Sequence, residues 1–197
     1  MPLPTRAYDR TLNAELERLI GQISVIKQDA EGLLHGLSDA QFNWSPGDGQ
    51  WSIAQCIDHL NVSNRQFSKL LEDGVARGRA AGQLSDGPYS YSFLSRAFLR
   101  LNEPPVKRKF KAPGAFRPSS GPLSPERVVP DFFALHDRLI EIIQSANGLD
   151  LAAIKVPSPV TRLLKFNLGM MFWILAAHDR RHLWQVRQIR GNPGFPN

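Results

Sequence analysis

Apolar residues recur at alternating steps of four and three along the first part of the chain. They stand at Leu12, Leu16, Leu19, Ile23, Ile26, Ala30, Leu33 and Leu37. This spacing places about one apolar side chain per turn on one face of a helix and leaves polar residues on the other faces. We therefore predict a first long helix over about residues 8–36.

A second helix is predicted after a break that is rich in Gly and Pro. Ser52 can cap its start, because the side chain of Gln55 stands three residues later and can reach back to the capping residue. Apolar positions at helical spacing then continue to about Gly74, a residue that often ends a helix. The predicted helix covers residues 52–74.

Two more long helices follow a crossover of different composition. Residues 77–121 contain many Gly, Pro and Ser around one short apolar piece, "SFLSRAFLRL", which predicts at most one short helix. Ser124 and Pro125 are typical of a helix start, and we predict a third helix over residues 125–147. The fourth is predicted over residues 167–190 and ends before "GNPG".

Four amphipathic helices and no alternating strand pattern indicate an all-α protein, which we interpret as a four-helix bundle. A length of 197 residues suits one domain that covers residues 1–197. The formal net charge is +6, but the basic residues are dispersed, so nucleic acid is not the favoured partner. Cys56 is the one cysteine, and there is no apolar leader or membrane span, so we expect a cytoplasmic location.

The fourth helix carries two histidines on its apolar face. Its stripe contains Met171, Ile174, Leu175, His178, His182, Gln185 and Ile189. Residues four apart project from the same face, so His178 and His182 can reach one metal ion. The simpler alternative is a surface pair or a pair of hydrogen-bonded polar groups. The apolar stripe favours the metal, because a buried imidazole without a partner is costly.

His59 in the second helix is the expected third ligand, and it tests the topology. If the second and fourth helices ran parallel, His59 would lie roughly 10 Å from the level of the pair, at about 1.5 Å of rise per residue. Antiparallel helices bring all three histidines level. An up-down-down-up bundle satisfies this, with the long crossover between the second and third helices as the overhand connection.

The stretches "QFNWSPGDGQWSIAQCIDHL" and "AAHDRRHLWQVRQI" resemble the DinB/YfiT-like superfamily, whose members carry one histidine on helix two and an HxxxH on helix four. The matching positions here are His59, His178 and His182. The resemblance implies a four-helix bundle that binds a divalent metal through three imidazoles. It does not imply one reaction, because a fold or family hosts several chemistries.

Three imidazoles suit zinc, nickel or iron, and such a site can activate a thiol or a water. The favoured hypothesis is an enzyme that activates a low-molecular-weight thiol to attack a small electrophilic substrate. Trp44, Gln55 and Gln185 are the expected pocket residues, with Trp51 as a further aromatic that either lines the pocket or packs in the core. The alternatives are a metal-dependent hydrolase and a non-enzymatic, stress-related metal-binding protein. Metal binding is expected to weaken as the pH falls through about 6.5, where free imidazole takes a proton.

Other polar residues near this pattern receive structural interpretations. His136 falls on the apolar stripe of the third helix and is interpreted as a hydrogen-bonded core residue, and Cys56 as core packing. Asp58 directly precedes His59, and Asp179 directly follows His178. Adjacent residues of a helix point about 100° apart, so both aspartates are interpreted as surface groups or as neighbours of the ligands, and not as ligands.

The crossover also predicts self-association. Phe93, Leu94 and Phe98 are apolar, and the crossover has little bundle surface left to cover. Together with the resemblance, this predicts a homodimer.

Overall fold

The computed structural model describes residues 11–106, 111–158 and 164–197. Within these ranges the chain is predominantly helical. In chain order the elements are α1 (Ala14–Leu34), α2 (Asp39–Asn43), α3 (Ile53–Ala80), α4 (Phe93–Asn102), a 3₁₀ turn (Gly114–Phe116), α5 (Pro125–Ser145), β1 (Lys155–Pro157), β2 (Lys165–Asn167) and α6 (Leu168–Arg190). The four predicted long helices correspond to α1, α3, α5 and α6. None of the helices in the described ranges has the length and apolar content to cross a bilayer.

The starts of the helices follow local capping chemistry. Asn13 caps α1 by accepting a hydrogen bond from the backbone N–H of Glu15, so residues 11–13 of the predicted first helix are not helical. Residues 8–10 of that prediction lie outside the described residues. Ser52 and Gln55 form the expected capping box at the start of α3, which satisfies backbone donors that a helix end leaves free.

The predicted end of the second helix at Gly74 is wrong, because α3 continues to Ala80. Gly74 is buried inside the helix, where a Cβ atom would lie 2.9 Å from Cγ2 of Val156. Gly78, one turn later, is packed even more closely, because a Cβ atom there would lie 2.3 Å from Cδ1 of Ile154. These glycines therefore allow close approach of the chain before and within β1, and they do not terminate the helix.

The short elements α2, β1 and β2 were not predicted from the sequence. Helix α2 has five residues, with a capping box between Ser38 and Gln41. Strands β1 and β2 form an antiparallel pair in which Val156 lies opposite Phe166. Three residues per strand are too few for a recognisable alternating pattern, and five residues too few for a helical one. The short helix expected in the crossover is present as α4.

Side-chain contacts between the long helices give their relative directions. Pairs between α1 and α6 are Glu15 with Trp173, Gln22 with Arg180 and Asp29 with Arg187, each 158 residues apart. Pairs between α3 and α5 are Arg65 with Asp131, Glu72 with Arg138 and Arg79 with Ser145, each 66 residues apart. A constant separation means that both residue numbers rise together, so the two helices of each pair run in the same direction. Helices α3 and α6 run in opposite directions, because His59 lies beside His178 and Gly74 beside Leu168.

One buried cluster of apolar side chains joins these helices. The largest wholly buried members are Phe42, Phe132, Phe172, Leu16, Leu19, Ile23, Ile26, Ile53, Ile57, Leu60, Leu71 and Leu139. Most of them come from the stripes that predicted the helices, since each stripe must leave water against another element. The same packing buries several polar side chains, and these include the candidate site.

Candidate metal centre

Three histidine side chains converge between α3 and α6. His59 lies in the second turn of α3, while His178 and His182 lie one turn apart in α6. The Nε2 atoms of His59 and His178 are 3.2 Å apart. One ring nitrogen from each of the three residues lies within 4.8 Å of the other two. The antiparallel direction of α3 and α6 therefore brings all three imidazoles to one point.

Hydrogen bonds at Nδ1 orient two of the three rings. Nδ1 of His59 lies 2.5 Å from the backbone oxygen of Phe116, and Nδ1 of His182 lies 3.2 Å from Oε1 of Gln185. Both oxygens are acceptors, so each Nδ1 donates and each Nε2 keeps its lone pair in the neutral ring. Partners of this kind fix the tautomer and the orientation of histidines that bind metals.

His178 is held differently from its neighbours. Its Nδ1 atom is buried and has no hydrogen-bond partner among the described residues. Its Nε2 faces the lone pair of His59, so this nitrogen either donates a proton to His59 or shares a cation with it. The second arrangement also suits His182, which contributes a ring nitrogen to the same cluster.

Burial keeps these imidazoles neutral. Removal from water, together with the positive charge that His59 can carry, lowers the pKa of His178 to about 4. The pKa of His182 lies well below its ordinary value for the same reasons, with desolvation first. Burial also lowers the pKa of His59, against the raising effect of its bond to the Phe116 carbonyl. Neutral imidazole is the form that binds a metal ion.

The donor set fits a divalent metal ion. Two nitrogens at about 2.05 Å from one tetrahedral zinc would be about 3.3 Å apart. The observed separation of 3.2 Å between His59 and His178 agrees with that value. No Asp, Glu or Cys of the described residues joins the three histidines in this cluster. Three protein ligands would leave further coordination positions for a small molecule, as in catalytic sites.

An aromatic side chain covers one side of the cluster. The ring of Trp51 lies 4.8 Å from that of His59 and 5.8 Å from that of His182, nearly parallel to the second. Trp51 directly precedes the Ser52 cap, so the start of α3 positions it. The Trp51 side chain is half-buried.

Comparison with known proteins identifies the family of the chain. The family model of the DinB superfamily matches residues 22–186. The chain belongs to the DinB superfamily. It is also similar to the uncharacterized protein YuaE of Bacillus subtilis (strain 168), with 27% identity over 157 residues, which cover 80% of this chain and 88% of the relative. No solved structure matches the chain.

The DinB match includes every residue of the cluster. The three residues expected to line a pocket beside it lie in different environments. Gln185 lies beside His182, as described above. Gln55 is used in the capping box, where its side chain accepts a hydrogen bond from the N–H of Ser52. Trp44 packs edge-on against Phe195 near the end of the described chain. Trp51 is thus the tryptophan in ring contact with the histidines.

Two aspartates beside the DinB histidines are buried, so their interpretation as surface groups is wrong. Asp179 is fully buried and Oδ2 lies 3.1 Å from Nε2 of His136. Asp58 accepts a hydrogen bond from the backbone N–H of Ser119. Both neighbour the ligand candidates in sequence, and the 100° turn between adjacent helix residues aims them at other partners.

The structural interpretations of His136 and Cys56 are confirmed. His136 is fully buried, and its Nδ1 lies 2.7 Å from the backbone oxygen of Phe132. Cys56 is also fully buried, and burial raises the pKa of its thiol far above the ordinary value. A thiol in that state stays protonated and is a poor metal ligand.

Proposed function

We propose that this protein is a metal-dependent enzyme that activates a low-molecular-weight thiol for transfer to a small electrophilic substrate. The observation that carries the proposal is the convergence of three neutral imidazoles, of which two are oriented by acceptors at Nδ1. A divalent zinc, nickel or iron ion bound there would lower the pKa of a thiol and favour its thiolate at neutral pH.

The residues of the chain have separate parts in this scheme. His59, His178 and His182 hold the ion, and Gln185 orients His182. The Trp51 ring provides an apolar wall against which a small substrate can rest and from which water is excluded. Attack by the thiol sulfur forms the sulfur–carbon bond, the thiol proton passes to solvent, and the leaving group takes the electron pair of the bond that breaks.

A hydrolase is a weaker candidate for the same site. Hydrolysis by an activated water often uses a carboxylate as general base. The nearest carboxylates in sequence, Asp58 and Asp179, are directed at Ser119 and His136. This arrangement favours thiol chemistry, in which the attacking group needs no base once it is ionised.

The experiment measures thiol conjugation by freshly purified protein with known metal content. Glutathione and cysteine are supplied with a chromogenic aryl halide, and the release of halide and the thioether product are followed. We expect conjugation by wild-type protein, loss in His59→Ala, and full activity in His35→Ala, which removes an exposed histidine outside the cluster. Hydrolysis of ester substrates without conjugation would favour the hydrolase, and metal binding without either reaction would indicate a binding protein.

We infer further that residues 1–197 are one domain built as an up-down-down-up four-helix bundle. The support is the set of helix directions, in which α1 runs with α6, α3 runs with α5, and α3 runs against α6. The connection from α3 to α5 must then return along the length of the bundle. The long crossover that contains α4 has the length for this.

A homodimer is proposed from the surface of α4. Four apolar side chains of this helix are exposed: Phe93 by 70%, Leu94 by 78%, Phe98 by 42% and Leu101 by 58%. A contiguous exposed apolar face of this kind is typical of a protein interface. A second copy of the chain is the proposed partner, in line with the sequence expectation.

A further inference from the structure

The backbone oxygen that accepts the Nδ1 hydrogen bond of His59 belongs to the crossover and not to a long helix. The strap, residues 113–119, includes the 3₁₀ turn and lies along α3. It supplies the backbone oxygen of Phe116 to Nδ1 of His59. The ligand candidate is therefore oriented by a segment that is remote in sequence.

Further contacts attach the strap to α3 between residues 58 and 67. Gln66 donates a hydrogen bond of 2.7 Å to the backbone oxygen of Ala115. Asp58 accepts one of 2.7 Å from the N–H of Ser119. The Phe116 side chain is buried, with its ring 6.2 Å from that of Phe67. Side-chain packing and polar contacts thus fix the Phe116 carbonyl beside His59.

We propose that the strap is a positioning element of the metal centre, so that docking of the strap and binding of metal are coupled. The inference rests on the proposed function for the presence of the metal. When the strap is docked, its carbonyl holds the proton of His59 on Nδ1 and keeps the Nε2 lone pair directed at His178. When the strap leaves, His59 loses both constraints and must be ordered by the metal itself.

The coupling is reciprocal, because two events that favour each other do so by the same factor in both directions. Bound metal therefore stabilises the docked strap. The amide of Ser119 reports docking directly, because its acceptor is Asp58 of α3. The amides of Phe116 and Arg117 donate to Pro113 and Gly114 within the strap and report whether its 3₁₀ turn is formed. Their hydrogen exchange should slow when metal binds.

The test combines metal affinity with hydrogen exchange on the full chain. Zinc affinity is measured by competition with a chromophoric chelator for wild type, Phe116→Ala, Gln66→Ala and Phe133→Ala. Phe133 is the matched control, because it is a partly buried phenylalanine of α5 that has no described contact with the strap. Exchange is followed by mass spectrometry for residues 111–121 and, as a reference, 149–154.

We expect Phe116→Ala to weaken zinc binding about 10-fold, the size typical of a lost partner of a metal-bound histidine. Gln66→Ala should weaken it less, and Phe133→Ala should leave it unchanged even if it unfolds at a lower temperature. Zinc should slow exchange in the strap of wild type but not in residues 149–154.

Equal zinc affinity in wild type and Phe116→Ala, with the strap exchanging at the same rate with and without zinc, would overturn the coupling and leave the metal centre intact. An equal loss of affinity in Phe133→Ala would also overturn it, since the effect would then follow stability. Failure of wild-type protein to bind zinc, nickel or iron would instead overturn the proposed function and this inference with it.

Discussion

Two groups of buried histidines lie close to the same stretch of α6, and they differ in how their ring nitrogens are used. In the pair formed by His136 and Asp179, both nitrogens of the imidazole have an oxygen partner. In the cluster, the Nε2 atoms of His59 and His178 face each other instead, and a ring nitrogen of His182 lies within 4.8 Å of a ring nitrogen of each. A buried polar group needs a partner, so the His136 ring is satisfied by protein oxygens, whereas the cluster places imidazole nitrogens beside one another, an arrangement that suits a shared cation. The comparison separates a histidine that supports the fold from histidines arranged for a ligand.

The largest expected effect is the loss of metal binding when one histidine of the cluster is replaced. Replacing His59, His178 or His182 singly with alanine removes one of three ligands, and we expect each variant to bind zinc more than about 100-fold more weakly, beyond the range for lost outer partners. The three variants should resemble one another in chelator competition, whereas His35→Ala binds as wild type does. Undiminished binding in His59→Ala would place the ion elsewhere.

The second prediction concerns the pair. His136→Ala leaves the buried Asp179 carboxylate without its partner, which typically costs about 3–5 kcal/mol of unfolding free energy. Urea denaturation should detect this loss, while the metal affinity of the folded variant stays near that of wild type. If His136→Ala lost metal as fully as the cluster variants, the two groups could not be separated in this way.

The third prediction is the pH dependence of stability without metal. The cluster histidines have pKa values below the ordinary value of 6.5, which applies to the unfolded chain, and that of His178 is about 4. The unfolded state therefore binds more protons below pH 6.5, and stability falls as the pH is lowered. The slope is about 1 kcal/mol per pH unit for each histidine that stays neutral in the fold. Thermal unfolding of metal-free protein from pH 7.5 to 4.5 measures it.

The same shifts place the expected loss of metal at a lower pH than the value of about 6.5 that applies to free imidazole. Protons compete for a folded histidine near its folded pKa, and burial has moved that value down. We therefore expect zinc to remain bound as the pH falls through the ordinary imidazole pKa and to be lost only at clearly lower pH. Release centred at pH 6.5 would mean that the imidazoles are exposed to water when metal-free.

A smaller effect is expected at Gln185. Gln185→Ala removes the acceptor of the His182 Nδ1 proton, and we expect about 10-fold weaker zinc binding. Gln185→Glu keeps an acceptor and should restore most of the affinity. An unchanged affinity in Gln185→Ala would show that this contact does not orient His182.

The smallest effect on the site is expected from the exposed face of α4. Leu94→Glu places a charge on the proposed interface and should convert a dimer to a monomer in light scattering, with metal affinity unchanged. Wild-type protein that is monomeric at micromolar concentration would contradict the proposed homodimer.

The long helices could be predicted from the sequence, because each has an apolar stripe that repeats over several turns. The stripes exist because one face of each helix is buried against other elements. Gly74 misled the prediction of a helix end, because a glycine that allows close packing looks the same in sequence as one that ends a helix. The β1–β2 pair is too short to have a readable period.

The site divides in a similar way. His59, His178 and His182 could be grouped from their spacing and the antiparallel requirement, and the structure brings their rings together. The role of the Phe116 carbonyl as the partner of His59 could not be predicted from the sequence. Every residue has a backbone oxygen, and only the folded chain path determines which one lies beside His59. Trp51 and Trp44 both precede α3, and only the chain path of residues 44–52 decides which ring meets the histidines.

The most direct test of the central claim is the metal content of the cluster in solution. Metal-free protein is titrated with zinc, nickel and iron in turn, and the stoichiometry is measured by calorimetry and elemental analysis. X-ray absorption then identifies the ligand atoms. We predict one ion per chain with three imidazole nitrogens and at least one further position held by solvent or added thiol. Protein that takes up no ion at excess metal, or an ion without three imidazole ligands, would contradict the account.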